Sequence, residues 1–327
     1  MANDSVKDLL KGIKAGDRRA LAKAITLLED DRSAKRADAD ALLAALVPIA
    51  GKSLRIAISG PPGVGKSTFI EAIGKLALAK RHKIAILAVD PSSPVSGGSV
   101  LGDRTRMEEL SRAEDVFIRP SPSRSILGGV ARRTREAVIA CEAFGHDLIL
   151  IETVGVGQSE VVAHGLSDVF VLLHQPGAGD ELQGLKRGIL EMADVVVVNK
   201  CDGERVTAAK LAKSQLEAAL SVARSDADRP PLLLTSALEG EGLPEFWRAV
   251  TTLVDARRET GAFEQRRREQ LHGWFEEELQ QALAAAVASD PSLAKAKAKL
   301  SAQVIKGERP ATIAASDLVA QLLKGRA

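Results

Sequence analysis

The stretch Arg55-Ile56-Ala57-Ile58-Ser59-Gly60-Pro61-Pro62-Gly63-Val64-Gly65-Lys66-Ser67-Thr68 decides the fold. A short apolar run, Arg55–Ser59, enters a glycine-rich turn that opens the helical run Phe69–Leu78. Gly60–Thr68 fits the pattern GxxxxGK[ST], in the strand–turn–helix context that the pattern requires. Glycines let the backbone fold tightly enough for its N–H groups to face phosphate oxygens. The helix that follows adds its positive end. Lys66 is expected to bring a point charge to the β- and γ-phosphates, and Ser67 a hydroxyl to Mg²⁺. A chance glycine-rich turn is the plainer alternative, and motif plus context weighs against it.

Outward from this stretch the same alternation continues. The runs Lys83–Val89, Asp115–Ile118, Leu148–Glu152, Val169–Leu173, Val195–Asn199 and Leu232–Thr235 read as strands, separated by longer helical segments. Several are apolar throughout, as strands covered on both faces are. The expected fold is therefore α/β: a doubly wound, mostly parallel sheet of the P-loop NTPase type, with about seven strands and helical extensions at both ends. Such sheets bind ligands at the carboxyl ends of their strands, where the polar motifs fall. Residues 5–47 read as helix, broken at Gly16-Asp17, with a third segment over about 38–47 that stops near Pro48. From Pro244 the chain returns to helix, with an apolar stripe of Leu271, Trp274, Phe275, Leu279, Leu283 and Val287. The expected organisation is an N-terminal helical arm over 1–50, a nucleotide domain over 51–256 and a C-terminal helical region over 257–327. A helical tail of this kind, short of partners in its own chain, could pack on a second copy.

Asn199-Lys200-Cys201-Asp202 chooses the base. It follows the run Val195–Val198 and matches the NKxD pattern of GTPases. A carboxylate at Asp202 can accept both the ring N–H and the exocyclic amine of guanine, a pair that adenine does not present. Leaving such a group unpaired is heavily penalised, so sites of this kind discriminate by roughly 10⁴-fold or more. Thr235-Ser236-Ala237 falls at the end of the last strand, where its backbone can meet the guanine O6. The expected nucleotide contacts are Gly60, Pro61, Pro62, Gly63, Val64, Gly65, Lys66, Ser67 and Thr68 for the phosphates, and Asn199, Lys200, Asp202, Ser236, Ala237 and Leu238 for the base, with GTP or GDP bound.

Three carboxylates fall at strand ends or on a nearby loop: Asp90, Asp103 and Glu152. With Lys66 they form the expected catalytic set, and with Ser67 the expected Mg²⁺ ligands. Mg²⁺ keeps several waters and needs few protein oxygens, so not all three carboxylates bind it directly. Gln158 stands away from the usual place of a water-positioning Gln and is read mainly as structural, so intrinsic hydrolysis is expected to be slow. Arg104, Arg106, Arg124, Arg132 and Arg133 are arginine-finger candidates, although ordinary ion pairs explain each more simply. His146, His164 and His174 show no metal spacing and read as core or capping groups.

Composition excludes several classes. With 327 residues, 45% hydrophobic and 27% charged, the chain is an ordinary globular mix. A net charge of +2, 3% aromatics and no Tyr argue against a nucleic-acid partner. No apolar run approaches the roughly 18 residues of a membrane span, and the start lacks a signal-peptide layout, so a cytoplasmic protein is expected. Cys141 and Cys201 match no zinc or redox spacing and read as reduced thiols.

Together the motifs resemble one family. GPPGVGKST (60–68), VDPSSP (89–94), GGSVLGDRTRM (97–107), ETVGVGQSE (152–160), HQPGAGDELQGLK (174–186), NKCD (199–202) and TSA (235–237) are similar to those of the MeaB/ArgK-type GTPases of the SIMIBI class. Members of that family are chaperones of adenosylcobalamin-dependent acyl-CoA mutases, with methylmalonyl-CoA mutase the usual client. The segment 174–186 is the most family-specific, since GTPases at large lack it. The resemblance implies a switch loop there that couples nucleotide state to the mutase through Gln175, Asp180, Glu181, Gln183 and Lys186. It also implies a homodimer joined through the C-terminal helices, GTP hydrolysis that times cofactor loading, and protection or reactivation of the mutase. The alternatives are a nickel-enzyme metallochaperone GTPase, which would usually carry a His-rich tract, and an ATP-dependent P-loop kinase, against which NKCD argues.

Overall fold

A computed structural model describes residues 4–30, 32–89, 107–120, 127–153, 159–177, 187–225 and 228–324. The chain divides into two compact units, Met1–Phe263 and Glu264–Ala327. Residue 256, the expected end of the nucleotide domain, lies inside a helix of the first unit.

The first unit is built on a seven-stranded parallel sheet. Its strands are β1 (Leu54–Ser59), β2 (Ile84–Val89), β3 (Val116–Arg119), β4 (Leu148–Thr153), β5 (Val169–His174), β6 (Val195–Val198) and β7 (Leu232–Leu234), in spatial order β3-β2-β4-β1-β5-β6-β7. The order reverses around β1, which pairs with β4 on one side and β5 on the other. This places the turn after β1 in the crevice where open α/β sheets take their ligands. Every residue of β5 and β6 is buried, as the near-continuous valines and leucines require.

Helices cover both faces: α4 (Lys66–Ala79), α5 (Glu108–Arg112), α6 (Leu127–Phe144), α7 (Ser159–His164), α8 (Arg187–Met192), α9 (Val206–Ala223) and α10 (Leu243–Glu259). Against α4, α10 sets Phe246 edge-on to Phe69, with ring centres 5.0 Å apart. Arg257 of α10 donates to the Asp168 carbonyl at 2.8 Å and pairs with Asp194, whose carboxylate also accepts from Phe170 N at 2.8 Å. These bonds fix α10 to the amino ends of β5 and β6.

The N-terminal helices α1 (Asp4–Lys14), α2 (Arg18–Leu28) and α3 (Ser33–Leu46) belong to this same unit. Their apolar faces bury Ile13, Leu21, Ile25, Leu42 and Leu46, and the bundle packs on α6. Asp17 caps α2 by accepting from Arg19 N at 2.8 Å, directly after Gly16 at φ 78°. The third helix starts at Ser33, earlier than expected, because Ala34, Lys35, Arg36 and Ala37 are all good helix formers. Its link to β1 is held by a buried carboxylate. Glu142 accepts from Arg55 at 2.8 and 3.0 Å, from Ser53 Oγ at 2.5 Å and from Gly51 N at 2.7 Å.

The second unit holds most of α11 (Ala262–Ser289), with α12 (Pro291–Ile305) and α13 (Ala311–Lys324) packed on each other. Asp290 caps α12 by accepting from Ser292 N and Leu293 N at 2.8 and 3.2 Å. Leu271, Phe275, Leu279 and Leu283 recur every four residues on α11 and are 59%, 63%, 40% and 48% exposed. Among the described residues no helix is long and apolar enough to cross a membrane.

Candidate functional site

The phosphate loop leaves β1 at its carboxyl end. Gly60, Gly63 and Gly65 take φ of 150°, 80° and 93°, conformations that disfavour any side chain. Two of them also have no room for one. A β-carbon at Gly60 would lie 2.5 Å from the Leu173 carbonyl oxygen, and one at Gly65 would lie 2.9 Å from Asn199 Nδ2. The loop is thus wedged between the end of β5 and the turn Asn199–Asp202.

Lys66, at the start of α4, is 8% exposed. Its ammonium donates to the loop's own carbonyls, Gly60 O at 2.8 Å and Pro61 O at 3.1 Å. Burial pushes its pKa down, while the carboxylates of Glu152 and Glu160 act to hold the charge. Ser67 Oγ donates to Glu152 Oε1 at 2.8 Å, bringing together a hydroxyl from the helix start and a carboxylate from the end of β4. These are hard oxygen ligands of the kind Mg²⁺ takes. Among the described residues no group of three or more His, Cys, Asp or Glu could hold a metal ion. Two such oxygens among the described residues fit an ion that draws further ligands from water and phosphate. Thr68 follows in the same first turn of α4, beside a groove of about 370 Å³ that also meets Ala237, Leu238 and Glu239.

The turn Asn199–Asp202 follows the end of β6. Asn199 is a hub. Its Nδ2 donates to Val64 O at 3.0 Å, and its Oδ1 accepts from Ala237 N at 3.2 Å and Thr235 Oγ1 at 3.3 Å. One side chain therefore joins the phosphate loop, the turn and the segment after β7. Lys200 carries a positive φ of 61°. Its ammonium donates to Gly63 O at 2.6 Å and to Gln175 Oε1 at 3.2 Å. Asp202 Oδ2 accepts from Ser236 Oγ at 2.7 Å, and Oδ1 pairs with Arg205. The Ser236 bond, then the Arg205 contact, holds this carboxyl below its usual range, so it is ionised at neutral pH. The Leu238 side chain is 74% exposed at the rim.

The structure thus brings together Gly60–Thr68, Glu152, Asn199, Lys200, Asp202, Ser236, Ala237, Leu238 and Gln175 from distant parts of the chain. Asp90, Asp103, Gln158, Asp180, Glu181, Gln183 and Lys186 lie outside the described residues, as do Arg104, Arg106 and Arg124. Of the other candidates, Arg132 pairs with Glu136 at 3.0 Å, His146 Nδ1 meets Cys141 O at 3.0 Å, and His164 packs on Phe170. Sequence reading did not single out two charged groups. Glu160 is 2% exposed at the start of α7 and acts on Lys66; only its place in the motif 152–160 hinted at a role. Arg205 pairs with the Asp202 carboxylate three residues before it, which an i,i+3 charge pattern could have flagged.

A parallel sheet with this loop after β1 and this turn after β6 defines a P-loop GTPase, a GTP hydrolase. The comparisons with known proteins narrow the class. Residues 21–292 match the family model described as methylmalonyl Co-A mutase-associated GTPase MeaB. The chain is 46% identical over 319 residues to a protein of Mycobacterium tuberculosis named as a GTPase, covering 97% of this chain and 95% of that one. It is 42% identical over 333 residues to the mitochondrial methylmalonic aciduria type A homolog of Mus musculus, covering 98% and 80%. A solved structure titled LAO/AO transport system kinase superposes with TM-score 0.77 at 32% identity, over 99% of each chain. The chain belongs to the MeaB family of GTPases.

Proposed function

We propose that this GTPase is the nucleotide-driven chaperone of an adenosylcobalamin-dependent acyl-CoA mutase, with methylmalonyl-CoA mutase as the client. The observation that carries this is the family match over residues 21–292, whose description names that mutase. GTP binding and hydrolysis would time cofactor loading and the protection or reactivation of the mutase.

The residues support a division of labour. Lys66 already sits against Gly60 O and Pro61 O, so a phosphate would replace two neutral acceptors with charged ones. Ser67 and Glu152 would hold Mg²⁺, joined by Asp90 or Asp103; the ion supplies charge neutralisation at the phosphate oxygens. Asn199, Lys200 and Asp202 would fix the guanine, with Ala237 N and the Leu238 rim closing the other side. Whichever of Asp90 and Asp103 does not bind the ion would orient its waters and the attacking water. The structural relative carries the name of a kinase; Asp202, held ionised by Ser236 and Arg205, favours guanine over adenine instead.

The same reading covers the partners. Gln175 stands at the head of the segment through which Asp180, Glu181, Gln183 and Lys186 would signal to the mutase. The exposed stripe of Leu271, Phe275, Leu279 and Leu283 on α11 supports a homodimer joined through the C-terminal helices. Two free thiols, Cys141 and Cys201, suit the cytoplasm. The test is GTP turnover with and without purified methylmalonyl-CoA mutase. Stimulation of several-fold by the mutase, lost in Asp180→Ala and Lys186→Ala while their basal turnover persists, supports the reading. No stimulation and no nucleotide-dependent complex would overturn it.

A further inference from the structure

We propose that Gln175 is a positioning residue of the base site, holding the Lys200 side chain across from the base-reading turn to the phosphate loop. This rests on Asn199–Asp202 being the guanine site and needs no mutase.

Sheet register places the two residues side by side. β5 and β6 run parallel with His174 opposite Val198, so Gln175 and Asn199-Lys200 leave the sheet together. The backbone repeats the link, since Asn199 N donates to His174 O at 2.8 Å. Lys200 then bends into the left-handed region at φ 61°, which a residue with a β-carbon adopts only when its surroundings impose it. Two contacts fix the far end of its side chain: Gly63 O at 2.6 Å and Gln175 Oε1 at 3.2 Å. An ammonium has three donors and no acceptor, so two of its three bonds are spent tying turn to loop. The four-methylene stem is thereby held at its far end rather than free to sample rotamers. Gln175 is half-buried just past β5, with its amide oxygen committed to this bond.

The consequence is specific. Lys66 and the Ser67–Glu152 pair, the groups placed for the terminal phosphates, take no part in the Gly63–Lys200–Gln175 chain. Gln175 therefore acts on nucleotide retention as a whole and not on the γ-phosphate.

The test uses the full-length protein and stopped-flow dissociation of fluorescent GDP and of a fluorescent non-hydrolysable GTP analogue. Gln175→Ala is expected to raise both rates by roughly 10-fold, the low end of what one hydrogen bond to a charged donor is worth. Gln175→Glu, which offers Lys200 a charged acceptor, is expected to restore slow release. In a Lys200→Met background Gln175→Ala is expected to add less than about 2-fold, because its target is gone. An equal effect of Gln175→Ala with or without Lys200, or an effect confined to the GTP analogue, would overturn the assignment. Wild-type protein that held adenine and guanine nucleotides alike would overturn the base-site reading and this assignment with it.

Discussion

Asn199 Nδ2 donates to the carbonyl oxygen of Val64 at 3.0 Å, across 135 positions of the chain. The side chain that holds the segment after β7 thus also anchors the phosphate loop. Asn199→Ala removes this bond and strips Ala237 N of its acceptor. The expected cost is about 2 kcal/mol, or roughly 30-fold in affinity for both GDP and GTP. Equilibrium titration with fluorescent GDP checks it; affinity within about 3-fold of wild type would show that the hub is dispensable.

Glu142 is buried, and burial alone would push its carboxyl up. Its bonds from Arg55 and Ser53 more than reverse that and leave it below the usual range. Glu142→Ala leaves the Arg55 charge buried without its partner, at a cost of about 3–5 kcal/mol in urea unfolding. Replacing both at once, Arg55→Met with Glu142→Leu, should recover most of the loss. A double variant as unstable as the single one would contradict this.

His146 gives the protein a pH dependence. Burial pushes its pKa from 6.5 to about 4, against the bond to the Cys141 carbonyl. Between those values the unfolded chain binds the proton and the folded one does not, so stability rises with pH across this window. The contribution is present above pH 6.5 and lost as pH falls towards 4, amounting to about 3 kcal/mol. His146→Phe keeps a ring beside Phe144 and Phe117 but cannot titrate. Its urea-unfolding stability should fall less steeply than wild type from pH 7 to 4.5, and parallel slopes would remove His146 as the cause.

The stripe on α11 predicts its own disruption. Phe275→Glu with Leu279→Glu should convert a dimer to monomer in light scattering while leaving the circular dichroism spectrum intact. A dimer that survives both changes would place the interface elsewhere.

The sheet was legible because β5 and β6 are covered on both faces, which demands unbroken runs such as Val195–Val198. The loop and turn motifs were legible because close approach between segments restricts residue type: Gly60 and Gly65 have no room for a β-carbon. What the sequence hid is relational. The pairing of Gln175 with Lys200 depends on β5–β6 register, and the approach of Glu160 to Lys66 depends on where α7 packs. The N-terminal helices read as an appendage, since amphipathic periodicity shows that a face is buried but not against what. They share a compact unit with the sheet and pack on α6. The start of α3 was missed because Arg32 offers no side-chain cap to announce it.

The most direct test of the central claim, that Asn199–Asp202 reads guanine for a mutase-coupled GTPase, is turnover by Asp202→Asn with xanthosine triphosphate and with GTP, each with and without methylmalonyl-CoA mutase. An amide in place of the carboxylate offers a donor where xanthine carries an oxygen. The account predicts that this variant loses GTP turnover, gains xanthosine triphosphate turnover, and is stimulated by the mutase with the new nucleotide alone. GTP turnover at the wild-type rate, stimulated as before, would contradict it.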